Sequence, residues 1–210
     1  MDKNGKEIAC LQAEQCMKQL QNHGFSTSYF ETKEEAFHYL QEVIEKNAVI
    51  ANGGSMTLKE MGVIDWLTDN PDYHYLDRNH TDDPHRIFHE SFNADVYLMS
   101  SNAVTLDGML YNVDGTGNRV AALIYGPKKV YVVVGTNKIV RNIEDAITRN
   151  EMISGPYNNK RLKKGNPCED FGQCMHCLKD TSICNQFVVT RRSGIKDRIH
   201  VIIINEELGY

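Results

Sequence analysis

Apolar residues recur at helical spacing from the start of the chain. Ala9, Ala13, Cys16, Met17 and Leu20 fall on one face, and Gly24 supplies a stop, which predicts a helix from about Asn4 to His23. Cys10 and Cys16 sit in that helix as ordinary residues, Cys16 on the buried side. Phe25 to Phe30 then reads as a short strand. Thr32-Lys33-Glu34-Glu35 is a capping box followed by Ala36, Phe37, Tyr39, Leu40, Val43 and Ile44, so a second helix to about Lys46 is expected. Ala48-Val49-Ile50-Ala51 is a compact apolar strand. It runs into the turn Asn52-Gly53-Gly54-Ser55-Met56-Thr57, and Leu58 to Leu67 reads as one helix.

Further on, Asp82-Asp83-Pro84 can open a helix with proline in its first turn. Asp95 to Met99 and Ile199 to Ile204 read as strands, and Val130 to Val134 as a wholly apolar one, as for a strand covered on both faces. Ile139, Ile143, Ala146, Ile147 and Ile153 predict a helix over that span. Strands alternating with helices imply an α/β fold: a mainly parallel sheet with helices on both faces. The pattern fades after Gly155-Pro156. Residues 1–156 and 185–210 are therefore read as the α/β domain, and 157–184 as a polar, basic, cysteine-rich loop laid over it.

Composition sets limits. The chain has 210 residues, enough for one well-buried core with a small appendage. Its formal charge of −5 gives no global basic footprint, so nucleic acid is not an expected partner. No apolar run reaches the roughly 20 residues that span a bilayer, and the polar start Met1-Asp2-Lys3-Asn4 leads into no apolar signal core. The expectation is a cytoplasmic protein with no membrane partner. In a reducing compartment its cysteines favour metal over disulfides.

Candidate chemistry falls in four places. The turn Gly53-Gly54-Ser55, with Thr57, offers backbone N–H groups and hydroxyls to an anion, or is a plain tight turn with a serine cap. Next come Ser100-Ser101-Asn102 through Asp107-Gly108, then Asn112, Asp114-Gly115-Thr116-Gly117 and Asn118-Arg119. Asp107 and Asp114 suit a catalytic role, taking a proton or binding a hydroxyl; Asn102, Asn112 and Asn118 offer amides; Arg119 pairs with a carboxylate or phosphate. The Asp-Gly pairs also suit hairpin turns. Gly115-Thr116-Gly117 is not a dinucleotide fingerprint, because Val120 stands where the third glycine belongs. Third, Cys168, Cys174, Cys177 and Cys184 follow C-x5-C-x2-C-x6-C, a set that suits an iron–sulphur cluster or tetrahedral zinc, with His176 as a substitute ligand. Fourth come His80, His85 and His89; His85 and His89 are four apart on one helix face beside Glu90, a spacing that can bind zinc and is also common on a polar helix.

The run from Ser100 to Ala122, then Gly126-Pro127, Val134-Gly135-x-Asn137-Lys138-Ile139 and the terminal Leu208-Gly209-Tyr210, resembles the LUD-domain (lactate utilisation, DUF162) family. The resemblance spans essentially the whole chain. It implies a fold similar to the ribose-5-phosphate isomerase and CoA-transferase superfamily, and a link to oxidation of lactate or related 2-hydroxy acids. Several such proteins accompany iron–sulphur subunits, so redox partner subunits are expected. On this reading Arg119 and Lys138 hold a small anionic ligand near Gly53, Gly54 and Ser55, and the cysteine loop carries an iron–sulphur cluster. The alternative is an isomerase- or acyl-transferase-like enzyme or binding module with structural zinc. No catalytic glutamate of the CoA-transferase type stands out. A homodimer is compatible with either, without a residue-level interface.

Overall fold

The computed structural model describes residues 1–210. Helix α1 (Lys3–Asn22) is capped by Asp2, whose carboxylate accepts from Gly5 N, and buries Ala9, Ala13, Cys16 and Leu20. Strand β1 (Ser26–Phe30) leads to α2 (Lys33–Val43), which opens on the capping box formed by Thr32 and Glu35. After β2 (Val49–Asn52), the single helix expected over Leu58 to Leu67 is two short ones, α3 (Met56–Glu60) and α4 (Val63–Leu67). Gly62, at φ +76°, breaks it. Next come β3 (His74–Tyr75), α5 (Pro84–Glu90) and β4 (Val96–Met99).

Strands β7 (Lys129–Gly135) and β10 (Ile199–Ile204) complete a six-stranded sheet in the order β1-β10-β7-β4-β2-β3, parallel throughout. Alternate residues of its central strands enter two separate cores. Tyr97, Met99, Val130, Val132, Val134, Val201 and Ile203 pack on the face that carries α1. Leu98, Tyr131, Val133, Ile202 and Ile204 pack on the face that carries α2, α3 and α4. Because both faces are covered, the strands read as unbroken apolar runs.

A second sheet escaped the periodicity. It holds β5 (Ala103–Thr105), β6 (Leu110–Asp114), β8 (Ile139–Val140) and β9 (Gln186–Thr190) in the order β8-β5-β6-β9. The helix expected from Ile139 starts only at Ile143, because Ile139 and Val140 pair with Val104 and Thr105. Helix α7 (Ile143–Arg149) then passes through a π-helical turn at Asn150–Ser154 into α8 (Gly155–Leu162). Helix α8 thus carries the chain into the cysteine loop. That loop contains the short α9 (Cys168–Phe171) and ends in β9, which pairs with β6. Between β6 and β7 lies α6 (Asn118–Ile124). No helix is long and apolar enough to cross a membrane.

Candidate functional site

A cleft of about 960 Å³ lies between the two sheets. Its floor is the carboxyl ends of β2, β4 and β7, where Asn52, Ser100 and Lys138 stand, the position open α/β sheets use for ligands. The far wall comes from β6, α8 and the end of the cysteine loop. Six cationic side chains line it (Lys59, Arg78, Arg119, Lys138, Arg161 and Lys164) against three carboxylates, Asp65, Asp114 and Asp180. The chain as a whole has more acids than bases, 28 against 23, so the cleft reverses the local sign.

Arg119 organises the wall from inside. Its Nη1 donates to Ser100 O (3.0 Å) and to Asn112 Oδ1, and its Nη2 donates to Asn102 Oδ1 (3.0 Å) and Val113 O (2.7 Å). Its Nε faces Asp114 Oδ1 at 3.8 Å. Every edge of the guanidinium thus meets protein acceptors. The expected ligand-binding arginine contributes its charge to the cleft, while its hydrogen bonds tie β4, β5 and β6 together. Gly53 makes room for it: a Cβ there would lie 2.8 Å from Arg119 Cδ.

The remaining expected residues divide. Asn102 and Asn112 serve Arg119, and Asn102 also donates to Asn150 Oδ1 (3.2 Å). Asp114 Oδ2 accepts from Arg119 N (3.1 Å) and Val120 N (3.2 Å), capping α6. Its Oδ2 is thus taken up by the start of α6, while the residue itself lines the cleft. Asp107 lies outside the cleft, in the β5–β6 turn against α1, bonded to Thr105 Oγ1. There Gly108 adopts φ +85°, and a Cβ would lie 2.5 Å from the Gln19 carbonyl carbon. Asp107 thus stands in the hairpin turn that its Asp-Gly pair also suits, apart from the expected residues that line the cleft. Ser55 caps α3 by accepting from Leu58 N (3.1 Å). Gly117, at φ +89°, starts α6. Gly54, Ser55, Gly115 and Asn118 do line the cleft. His85 and His89 are exposed on α5.

Lys138 stands apart. Its Nζ donates to Thr57 Oγ1 (2.9 Å) and Ser100 Oγ (3.0 Å), and the residue is 2 % exposed. Burial, reinforced by the charges of Arg149 and Arg119, lowers its pKa to about 7. Arg149, missed in the sequence, is itself buried and bound to Asn137 O (3.1 Å), Asn102 O (2.7 Å) and Ser154 Oγ (2.8 Å). Arg78, also missed, has a buried Nε without a partner, and its Nη2 would lie 2.8 Å from a Cβ on Gly54. Nothing in the local sequence marks Arg78 or Arg149, since each is placed by contacts distant along the chain.

The four cysteines Cys168, Cys174, Cys177 and Cys184 line one cavity of about 170 Å³, with Pro156, Met175, Leu178 and Phe187 as apolar walls. Burial and then the neighbouring Cys174, Cys168 and Cys177 push the Cys184 thiol up to about 11. Cys174 Sγ accepts from His176 N (3.4 Å). At this corner Glu151, Cys174 and His176 bring one ligand atom each within 4.8 Å of one another. Asn150, Gly155, Ser182 and Cys184 line both this cavity and the basic cleft, so the two share a wall.

Fold and site together define an α/β domain whose polar cleft opens at the ends of its parallel strands. The LUD domain model matches residues 13–204, and the chain belongs to that family, a protein of lactate-utilisation type in the general sense the family name carries. A crystal structure of a DUF162 family protein from Deinococcus radiodurans is similar to it, with a TM-score of 0.54 and 15 % identity, over 93 % of this chain and 98 % of that one. At that identity the likeness is one of fold. No functionally curated protein matches the chain.

Proposed function

We propose that the cleft binds a small carboxylate of the 2-hydroxy or 2-oxo acid class, and that the cysteine cavity holds an iron–sulphur cluster beside it. The protein would then serve as an accessory or subunit in oxidation of such acids. The observation that carries this reading is the shared wall: Cys184 faces both the cationic cleft and the other three cysteines. A redox group there is next to the ligand and not merely elsewhere on the molecule.

The residues fit such a cluster in three respects. Four thiols surround one cavity, its remaining walls are largely apolar, and a backbone N–H already points at one sulphur. Cys168, Cys174, Cys177 and Cys184 would hold the cluster, which supplies one-electron transfer when bound. The chain's own contribution is to bind and orient the anion. Arg78 and Asn118 line the cleft, and the buried Arg119 and Arg149 give it a fixed positive field. Helix α8 and the cysteine loop close one side of the cleft, shielding the ligand from water.

One observation favours zinc instead. Glu151, Cys174 and His176 already converge at single-ion distance, and oxygen, sulphur and imidazole donors suit that metal. A zinc there would be a structural clasp between the π-helical turn and the loop.

The test is anaerobic purification with visible absorption and with iron, sulphide and zinc analysis on one sample. Broad absorption near roughly 400 nm with matching iron and sulphide supports the cluster. Stoichiometric zinc without colour supports the clasp and leaves the cleft as the only functional site. Protein with neither metal removes both cofactor readings. Calorimetric titration with L-lactate and pyruvate then tests the cleft itself. Arg78→Gln is expected to weaken binding about tenfold, the loss of one charge-assisted hydrogen bond.

A further inference from the structure

Lys138 carries a buried amine with no carboxylate in hydrogen-bond contact. Its two neighbours are hydroxyls, and both act as acceptors toward it. Thr57 Oγ1 gives its own hydrogen to Leu208 O (3.1 Å), and Ser100 Oγ has Ser101 O (3.5 Å) and Thr57 Oγ1 (3.4 Å) as acceptors for its hydrogen. Each hydroxyl therefore receives an N–H from Lys138 Nζ, at 2.9 and 3.0 Å. A neutral amine has two hydrogens and one lone pair. Here both hydrogens are taken, the lone pair has no donor among these partners, and Lys138 lines the cleft. An ammonium would instead carry a third hydrogen with no acceptor among these partners.

The charges around it push the same way. Arg149 and Arg119 lie near, and Glu60 opposes them weakly while its carboxylate accepts from Gly209 N (2.7 Å). Burial and these two arginines bring Lys138 down to about 7, so a large share of it is neutral near neutral pH. The amine is also held in place. A Cβ on Gly209 would come within 3.4 Å of Nζ, so the backbone at Gly209 fixes one side of it. Desolvated, neutral lysines in cationic surroundings are the nucleophiles of imine-forming proteins.

We propose that Lys138 is a nucleophile that captures the carbonyl of a 2-oxo acid as a covalent imine. The proposal rests on the reading of the cleft as a carboxylate site. The Nζ lone pair attacks the carbonyl carbon, a C–N bond forms, and the carbonyl π pair moves to oxygen. One nitrogen proton passes to that oxygen. The C–O bond then breaks, and oxygen leaves as water with the second nitrogen proton, giving C=N. No oxidant or reductant enters. Arg78, which lines the same cleft, is the group placed to hold the acid's carboxylate.

The experiment is reductive trapping of the full chain. The protein is incubated with pyruvate or glyoxylate, reduced with cyanoborohydride, weighed intact and mapped by proteolysis. The expected result is one reduced adduct at Lys138, half-maximal in yield near pH 7, where surface lysines react only toward their ordinary range near 10.4. Lys138→Met should abolish it, and Lys138→Arg, a permanent cation with no nucleophilic amine, should also give none. Far-ultraviolet dichroism and calorimetric pyruvate binding on the same samples separate the failures. Pyruvate binding without an adduct overturns the imine and leaves the cleft reading standing. Neither binding nor adduct overturns both. Adducts spread over many lysines and unchanged in Lys138→Met also overturn the proposal.

Discussion

The two sheets are held together by different physics. The six-stranded sheet is parallel, and its central strands bury apolar side chains on both faces. The four-stranded sheet has a small apolar core of Ala103, Tyr111, Val113 and Ala146, and is organised instead by the guanidinium of Arg119. The first is a scaffold whose stability is spread over many apolar contacts. The second is a polar network, in which one missing member leaves several buried groups unsatisfied. Placing the cleft between them gives it a rigid floor and a wall made of fixed dipoles.

The largest effect should come from the hub of that network. Arg119→Met removes the donors of four hydrogen bonds and leaves Ser100 O, Val113 O, Asn102 and Asn112 without them. The expected cost is about 3–5 kcal/mol in urea unfolding, comparable to breaking a buried charged pair. Arg119→Lys should not restore it, since one ammonium cannot reach both edges. Leu98→Ala, in the main sheet, should cost a similar 2–5 kcal/mol, but by another route. Amide exchange separates the two. The arginine variant should expose β5, β6 and β9 before β7 and β10, whereas the leucine variant should lower protection throughout. Uniform loss in both would end the distinction between the sheets.

A smaller effect concerns the histidine of the main sheet's central strands. His200 in β10 is buried between Tyr39 and Tyr131, with Nε2 2.9 Å from Ser28 Oγ. Burial first, then the Lys129 charge, lowers its pKa to about 4 from an ordinary 6.5. Between those values the unfolded chain binds a proton that the folded chain refuses. The stability from neutral His200 is therefore fully present above pH 6.5 and is lost as pH falls toward 4. The loss should be about 2–4 kcal/mol. Urea unfolding of His200→Gln from pH 7 to 4 should show a correspondingly flatter slope. An unchanged slope would place the acid sensitivity elsewhere.

The same contrast explains what the sequence disclosed. Central strands β7 and β10 were readable because their burial needs only local composition. So was the box at Thr32, where cap and partner lie within one turn. The small sheet was not readable. Its β5 and β8 are three and two residues long, and β6 finds β9 only after the whole α7–α8 and cysteine-loop excursion. Asn102, Asn112 and Arg119 were visible as a polar cluster, but not their roles, because a guanidinium that organises a wall and one that grips a ligand have the same letters around them. Lys138 was visible as a cation. Its unpaired state depends on Thr57, Ser100 and Arg149, which the fold alone brings together.

The smallest effect sharpens the comparison from the scaffold's side. Thr32 Oγ1 accepts from Glu35 N (3.2 Å), and Glu35 Oε2 accepts from Thr32 N (3.3 Å) and Glu31 N (3.0 Å). Thr32→Ala removes the first bond and keeps the others, so about 1 kcal/mol is expected, and Thr32→Ser should recover most of it. Helix α2 packs through Ala36 and Leu40 on one face of the main sheet, and neither it nor Thr32 lines the cleft. Pyruvate binding should therefore stay unchanged in Thr32→Ala while thermal stability falls by several degrees at most. If binding weakens with the cap, the main sheet is not a rigid floor: it transmits local fraying to the cleft, and the two regions are one cooperative unit, not a scaffold and a wall.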